Sequence, residues 1–289
     1  MTDTRADTRS PVPTGEFPFA WEDFHQIAAL VHGEAGIVLP ESKANLVYSR
    51  LAKRLRAIGL RNFRDYCTLI ASDEGVDERQ ALIAAMTTNV TKFFREAHHF
   101  EHLEKNVLPD LAAAARKGAR VRIWSAGCSS GEEPYSIALS ILRVMPDAAK
   151  HDVLILASDI DPDMIAKAKL ASYPAARLAD IPAVMRTGIE TDRGDERFHF
   201  GESVKRLVRF RRLNLLRPWP MRGSFQAIFC RNVMIYFDQP TQNDIWSRFA
   251  QQLVPNGHLY IGHSERIASD EQPFVLTGQT IYRLKEGGR

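Results

Sequence analysis

From Val121 onward, short apolar runs alternate with helical stretches, and that alternation constrains the fold more than any other feature. Residues 121–124 form an apolar run that breaks into Gly127, Ser129, Ser130 and Gly131, and a helical pattern follows over about 134–145. Residues 153–157 form a second run, ending in Ser-Asp-Ile-Asp-Pro, with a helical stretch over about 162–170. Residues 207–214, 225–230 and 258–262 are further candidate strands, with a helix over about 240–253 between the last two. Residues 274–284 add one more strand or a hairpin. Strands separated by helices require crossover connections, which predicts an α/β unit with a parallel sheet covered on both faces. The polar stretch from 175 to about 205 breaks this scheme and reads as a small β insertion, with Phe198 and Phe200 on one side.

Nothing before Met86 alternates with period two. Helices are expected over a stretch starting near Trp21 and stopped by Gly33 and Gly36, then over 41–58, 62–71 and 77–86. Leu46, Val47, Leu51, Leu55 and Ile58 form the apolar face of the second, and Gly59 is its stop. This divides the chain into a disordered tail (1–16), an all-α domain (17–88) and an α/β domain (89–289). Hydrophobic residues at 45% and charged ones at 25% fit a folded globular chain and exclude a mostly disordered one. No apolar run is long enough to span a bilayer, and the first sixteen residues lack the apolar core of a secretory signal. Three cysteines without paired spacing suit a reduced, cytoplasmic protein. A net charge of +3 implies no general affinity for nucleic acid.

The chemistry concentrates at strand ends. A glycine turn between a first strand and its helix is where open parallel sheets bind nucleotides. Here the turn carries Glu132 and Glu133, which would repel a pyrophosphate but suit an adenosine ligand with a positive centre, such as S-adenosylmethionine. A first-turn carboxylate favoured by the helix dipole is the alternative for Glu133. Asp159, directly after the second strand, is placed for ribose hydroxyls, while Asp161 before Pro162 is the better N-cap. Asn232 and Tyr236 end the 225–230 strand on the ligand side; a plain edge-and-core role is the alternative. Asn89, Thr91 and Arg95 precede the first strand, and Arg95 is able to pair a carboxylate bidentately. On that segment alone, a helix cap plus a surface ion pair is the preferred reading. His98, His99 and His102 lack a third ligand class, so no metal site is expected.

The second helix carries Lys43, Arg50, Lys53, Arg54 and Arg56, with Arg61 and Arg64 beyond and no acid between Lys43 and Arg64. Solvated helix faces usually mix signs, so this stripe predicts an acidic partner: an acidic helical protein or nucleic acid.

These residues resemble the CheR family, the chemoreceptor glutamate methyltransferases of bacterial chemotaxis, over nearly the whole chain after the tail. The blocks are 46–56 (LVYSRLAKRLR), 86–96 (MTTNVTKFFRE), 124–136 (WSAGCSSGEEPYS), 157–161 (ASDID), 214–216 (NLL), 229–237 (FCRNVMIYF) and 262–265 (GHSE). The resemblance implies a helical receptor-binding domain and a Rossmann-like, mostly parallel S-adenosylmethionine-dependent methyltransferase sheet with a β insertion. It implies cofactor contacts from Asn89, Thr91, Arg95, Glu133, Asp159, Asn214, Leu215, Arg231 and Asn232, with Arg95 and Tyr236 nearest the transferred methyl. Receptor contacts fall to Arg50, Lys53, Arg54 and Arg56. The expected reaction is methyl-ester formation on glutamates of a receptor's cytoplasmic helices, without nucleic acid, metal or membrane insertion.

Two other readings compete. A nucleic-acid methyltransferase would explain the basic helix, but Cys230 is not preceded by the proline of cytosine-C5 enzymes, and the Asn-Val-Met-Ile block lacks the paired prolines of amino-methylating ones. A non-catalytic S-adenosylmethionine sensor is opposed by the intact motif blocks. Some relatives dock a receptor's C-terminal pentapeptide on the β insertion. The long, charged stretch 187–197 predicts that this chain does without that tether.

Overall fold

The computed structural model describes residues 12–186, 188–191, 196–267 and 272–285. The chain divides into two compact units, Met1–Thr88 and Asn89–Arg289. The first is helical: α1 (Trp21–Ala35), α2 (Ala44–Ile58), α3 (Phe63–Ala71) and α4 (Val76–Met86). Phe24, Ile27, Val31, Val47, Leu51, Leu55, Phe63, Tyr66 and Leu82 form its buried interior. Gly33 does not stop α1; the helix runs on to Gly36, which takes the left-handed conformation that glycine tolerates. The apolar face of α2 is narrower than hydropathy suggests, because Ile58, in the last turn, is 37% exposed. Packing also starts before Phe17: Pro13 is buried and Glu16 pairs with Arg56.

In the second unit, α5 (His98–His102) continues through a π turn into α6 (Leu108–Arg116). There follow β1 (Val121–Ala126), α7 (Glu132–Val144), β2 (Val153–Asp159), α8 (Pro162–Leu170), β3 (Ser172–Pro174), β4 (Ile189–Glu190) and β5 (Arg197–Phe200). The chain closes with α9 (Glu202–Lys205), β6 (Val208–Arg212), β7 (Phe225–Cys230), α10 (Gln239–Gln252), β8 (Leu253–Ile261), β9 (Phe274–Gly278) and β10 (Ile281–Leu284). Seven strands form one sheet in the order β6-β2-β1-β7-β8-β10-β9. It is parallel from β6 to β8, while the terminal hairpin joins antiparallel.

Consecutive residues of the central strand face opposite layers. Ile123 packs in one core with Tyr135, Ile137 and Phe229; Trp124 packs in the other with Trp246 and Phe249. Burial on both faces explains why the strands read as apolar runs. β8 begins five residues before its apolar stretch, and a register shift opposite Phe225–Ala227 absorbs Pro255-Asn256-Gly257. The insertion is a three-stranded antiparallel sheet, β3-β5-β4. Phe198 and Phe200 are buried there against Tyr173 and Phe93. The charged stretch 187–197 is described only in part, since residues 187 and 192–195 lie outside the described residues.

Candidate active site

Because β2 and β7 flank β1, the chain leaves the centre of the sheet in opposite directions, and the loops after these strands part at their carboxyl ends. Open α/β sheets place ligands in such a crevice. After β1, Gly127 has φ +79°, and a Cβ there would lie 2.4 Å from the Val233 Cγ2 methyl. Only glycine meets both demands. Next to it, Ser129 is itself left-handed and donates its N–H to Asp159 Oδ2 at 2.8 Å. The N–H of Asp161 donates to Asp159 Oδ1 at 2.9 Å. Asp161 in turn caps α8, accepting from the N–H groups of Asp163 and Met164, as its position before Pro162 predicts. Its other oxygen accepts from Asn89 Nδ2 at 3.0 Å. Asp159 is thus fixed in a buried position with lone pairs left over, and burial pushes its pKa up against those N–H bonds.

Glu133 sits in the first turn of α7. Ser125 Oγ donates to one of its oxygens at 2.7 Å, and Arg231 Nη1 lies 3.2 Å from the other. Burial raises its pKa, opposed by the pull of Arg231 and Ser125. Arg231 is buried, faces Glu96 at 3.3 Å and donates to the carbonyl of Arg95. Its guanidinium therefore ties the β7 loop to the 89–96 segment and to α7. Glu96 also accepts from His263 Nδ1 at 2.8 Å; burial would raise its pKa, but Arg231 and His263 hold it below the ordinary carboxylate value. Phe94, Glu96, Ser129 and Asn232 all have φ between 49° and 59°. Such non-glycine residues cost about 1–3 kcal/mol each and cluster where a site over-determines the backbone.

The remaining candidates are distributed around this centre. Arg95 Nη1 donates to the Val90 carbonyl at 2.9 Å, closing its own loop; neither the helix cap nor the surface ion pair is formed by it among the described residues. Thr91 is half-buried on the same loop. The loop after β6 is tied to β2 by Leu213 N–H donating to the Asp159 carbonyl. On it, Asn214 Oδ1 accepts from Leu216 N–H, and the buried Leu215 presents its carbonyl to Trp219 and Arg248. Tyr236 is half-buried in a 3-10 turn, Met234–Tyr236, beyond Asn232. His98, His99 and His102 go separately to the Gln279 carbonyl, Thr280 and Tyr260. Cys230 is buried and its thiol is pushed up by burial, which suits core and not a nucleophile.

The profile described as the CheR methyltransferase SAM-binding domain matches residues 89–283, and that of the CheR methyltransferase all-alpha domain matches 22–87. The chain belongs to the CheR methyltransferase family. Within it, this CheR chain is 49% identical over 264 residues to a probable chemotaxis protein methyltransferase of Rhizobium etli, covering 90% of this chain and 98% of the relative. Chemotaxis protein methyltransferase 2 of Pseudomonas aeruginosa is 42% identical, covering 95% and 98%. The chemotaxis protein methyltransferase of Escherichia coli is 40% identical, covering 91% of each. The enzyme uses S-adenosylmethionine, and its crevice suits that cofactor chemically. Glu132, Glu133 and Asp159 lie at the β1 and β2 ends, a carboxylate set hostile to a pyrophosphate.

Two features of this CheR chain were not visible in the sequence. Glu96, half-buried, and Glu265, buried, are carboxylates that bind loops together, and only their place inside the motif blocks marked them. On α2, distant acids change the meaning of the basic stripe. Arg54 donates to both oxygens of Glu78 at 3.0 and 2.5 Å, and Tyr66 donates to the same carboxylate. Arg50 donates to the carbonyls of Ala85 and Thr87 and to Thr88 Oγ1. Arg56 pairs with Glu16, and Lys53 is exposed. The stripe has no acid nearby in sequence, but residues far along the chain supply partners for much of it.

Proposed function

We propose that this enzyme methylates glutamate side chains on the cytoplasmic helices of chemoreceptors, using the residues gathered around β1, β2 and β7. The observation that carries the reading is the near full-length match to chemotaxis protein methyltransferases, with both the helical and the SAM-binding domain present. S-adenosylmethionine, when bound, supplies a methyl group on an electrophilic sulfonium. Asp159 would take the ribose hydroxyls, Glu133 and the Asn89–Arg95 loop the amino-acid end, and Asn214, Leu215 and Asn232 the adenine side. Arg231 acts through Glu133 and Glu96, because its side chain is turned onto them.

A glutamate acceptor has a pKa near 4.3 and is already ionised at neutral pH, so no general base is needed. The protein's work is alignment and exclusion of water from the nucleophile. Arg95 has donors left beyond its bond to Val90 and, with Tyr236, would orient the incoming carboxylate. Receptor recognition falls to the exposed part of the α2 stripe, with Lys53 and Arg56 foremost, and does not require a C-terminal pentapeptide. No helix among the described residues is long and apolar enough to cross a membrane.

The test is incubation with methyl-labelled S-adenosylmethionine and receptor-containing membranes. Label on a receptor band, released as methanol by mild base, is the expected result; base-stable label or none refutes ester formation. Turnover should fall with added salt, since exposed charge steering is screened over about 8 Å at physiological ionic strength. Saturable binding of the pentapeptide at low micromolar concentration would remove the tether-free reading.

A further inference from the structure

The loop after β7 is held by a residue that no motif role accounts for. Glu265, 4% exposed, follows β8 and points its carboxylate into the neighbouring loop. One oxygen accepts from the N–H groups of Val233 and Met234, both at 2.8 Å. The other accepts from Asn232 N–H at 3.0 Å and from Gly262 N–H at 2.5 Å. Three consecutive amides of one loop thus converge on a single carboxylate, which only an ionised acceptor satisfies without competing protons. Asn232, first of the three, is held at φ +59°. Opposite it, a Cβ on Gly262 would fall 2.6 Å from Asn232 Nδ2 and 2.8 Å from Glu265 Oε2, so the two loops close only with glycine there. On the far side of the same turn, Gln242 Nε2 donates to the carbonyls of Met234 and Phe237.

We infer that Glu265 is a positioning residue for methyl transfer, clamping the Asn232–Tyr236 turn so that Asn232 and Tyr236 face the crevice. The inference rests on the reading of those two residues as site residues. Its physical basis is charge-assisted hydrogen bonding in a water-poor setting, where an acceptor fixes three donors and offsets the strain at Asn232. Glutamine in its place is nearly isosteric but offers one carbonyl and one NH2 group. Two of the four amides would then face a donor, and the turn would loosen without a cavity.

The experiment uses the full chain carrying Glu265→Gln, with Asn232→Ala and Asp159→Ala as companions. Amide hydrogen exchange over residues 231–237, S-adenosylhomocysteine affinity and steady-state methylation are measured well below the melting temperature. Faster exchange confined to that turn, with kcat/KM reduced on the order of 10- to 100-fold, supports the proposal, as expected for a displacement of about 1 Å in an aligned site. Unchanged exchange over 231–237 overturns it. So does faster exchange with wild-type affinity and turnover, because the clamp would then be structural only. Loss of affinity in Asp159→Ala and Asn232→Ala beside wild-type behaviour in Glu265→Gln overturns the Glu265 assignment alone. Wild-type affinity in all three overturns the site reading with it.

Discussion

Arg54→Ala should destabilise the helical unit, whereas Lys53→Ala, one residue away on α2, should not. Arg54 makes two charge-assisted hydrogen bonds to Glu78, whose side chain is only 8% exposed and which also accepts from Tyr66. Removing the cation leaves a carboxylate with one remaining donor in a poorly solvated place. Breaking a fully buried pair costs about 3–5 kcal/mol. Arg54 is about a third exposed, however, so water re-solvates part of the loss, and about 2–3 kcal/mol is the discounted expectation. Lys53 is exposed, and its truncation should change stability by less than about 0.5 kcal/mol. Urea titration of both variants, with S-adenosylhomocysteine affinity as a control on the other unit, reads the difference. A loss below about 0.5 kcal/mol for Arg54→Ala would refute the reasoning. The result also governs any test of receptor recognition, because alanines at Arg50 and Arg54 would reduce methylation through damaged structure. Lys53 and Arg56 are the cleaner probes.

Asp159→Ala should weaken S-adenosylmethionine binding by about 1.5–3 kcal/mol, the worth of hydrogen bonds to a charged group; unchanged calorimetric affinity would remove it from the site. Gly127→Ala should lower both stability and cofactor affinity, because the new methyl meets Val233 and the backbone stays left-handed; pairing it with Val233→Ala should restore only the steric part, as read by melting temperature. His99, buried and pushed down to about 3 by burial first and then by Arg231 and His98, gives an acid-sensitive term. The unfolded chain takes up this proton near pH 6.5 and the folded one does not, so the contribution is full above 6.5 and is lost as pH falls. At pH 5 about 2 kcal/mol should be missing, and His99→Gln should show a correspondingly smaller drop in urea titrations between pH 7.5 and 5.

What was legible in the sequence was whatever is local. Gly59 as a helix stop, Asp161 as the cap of α8 and the strand–glycine–helix turn at Gly127 each need only neighbours within a few residues. The doubly buried strands betrayed themselves as apolar runs, and the period-two silence before Met86 separated the helical unit. What was not legible depends on partners brought from afar. Glu78 reaches Arg54 across 24 residues and Glu265 reaches Asn232 across 33, and no periodicity encodes either pairing. The same holds for Arg231, whose motif block suggested a ligand contact while its side chain is committed to Glu96 and Glu133. Positive φ at Phe94, Glu96 and Ser129 was equally hidden, because none of these residues advertises a left-handed backbone.

The strand order of the large sheet also sets a timetable for synthesis. The helical unit is made first and has a buried interior of its own, so it is free to begin packing while the rest is still being translated. β1 has no such luck: its neighbour on one side, β7, leaves the ribosome roughly 100 residues, or on the order of 5–20 s, later. Until then Ile123 and Trp124 lie along an open strand edge, and closure of the sheet centre waits on a contact of high sequence separation. The nascent chain should be most prone to aggregate in that interval, and slowing translation between residues 126 and 225 should lengthen it.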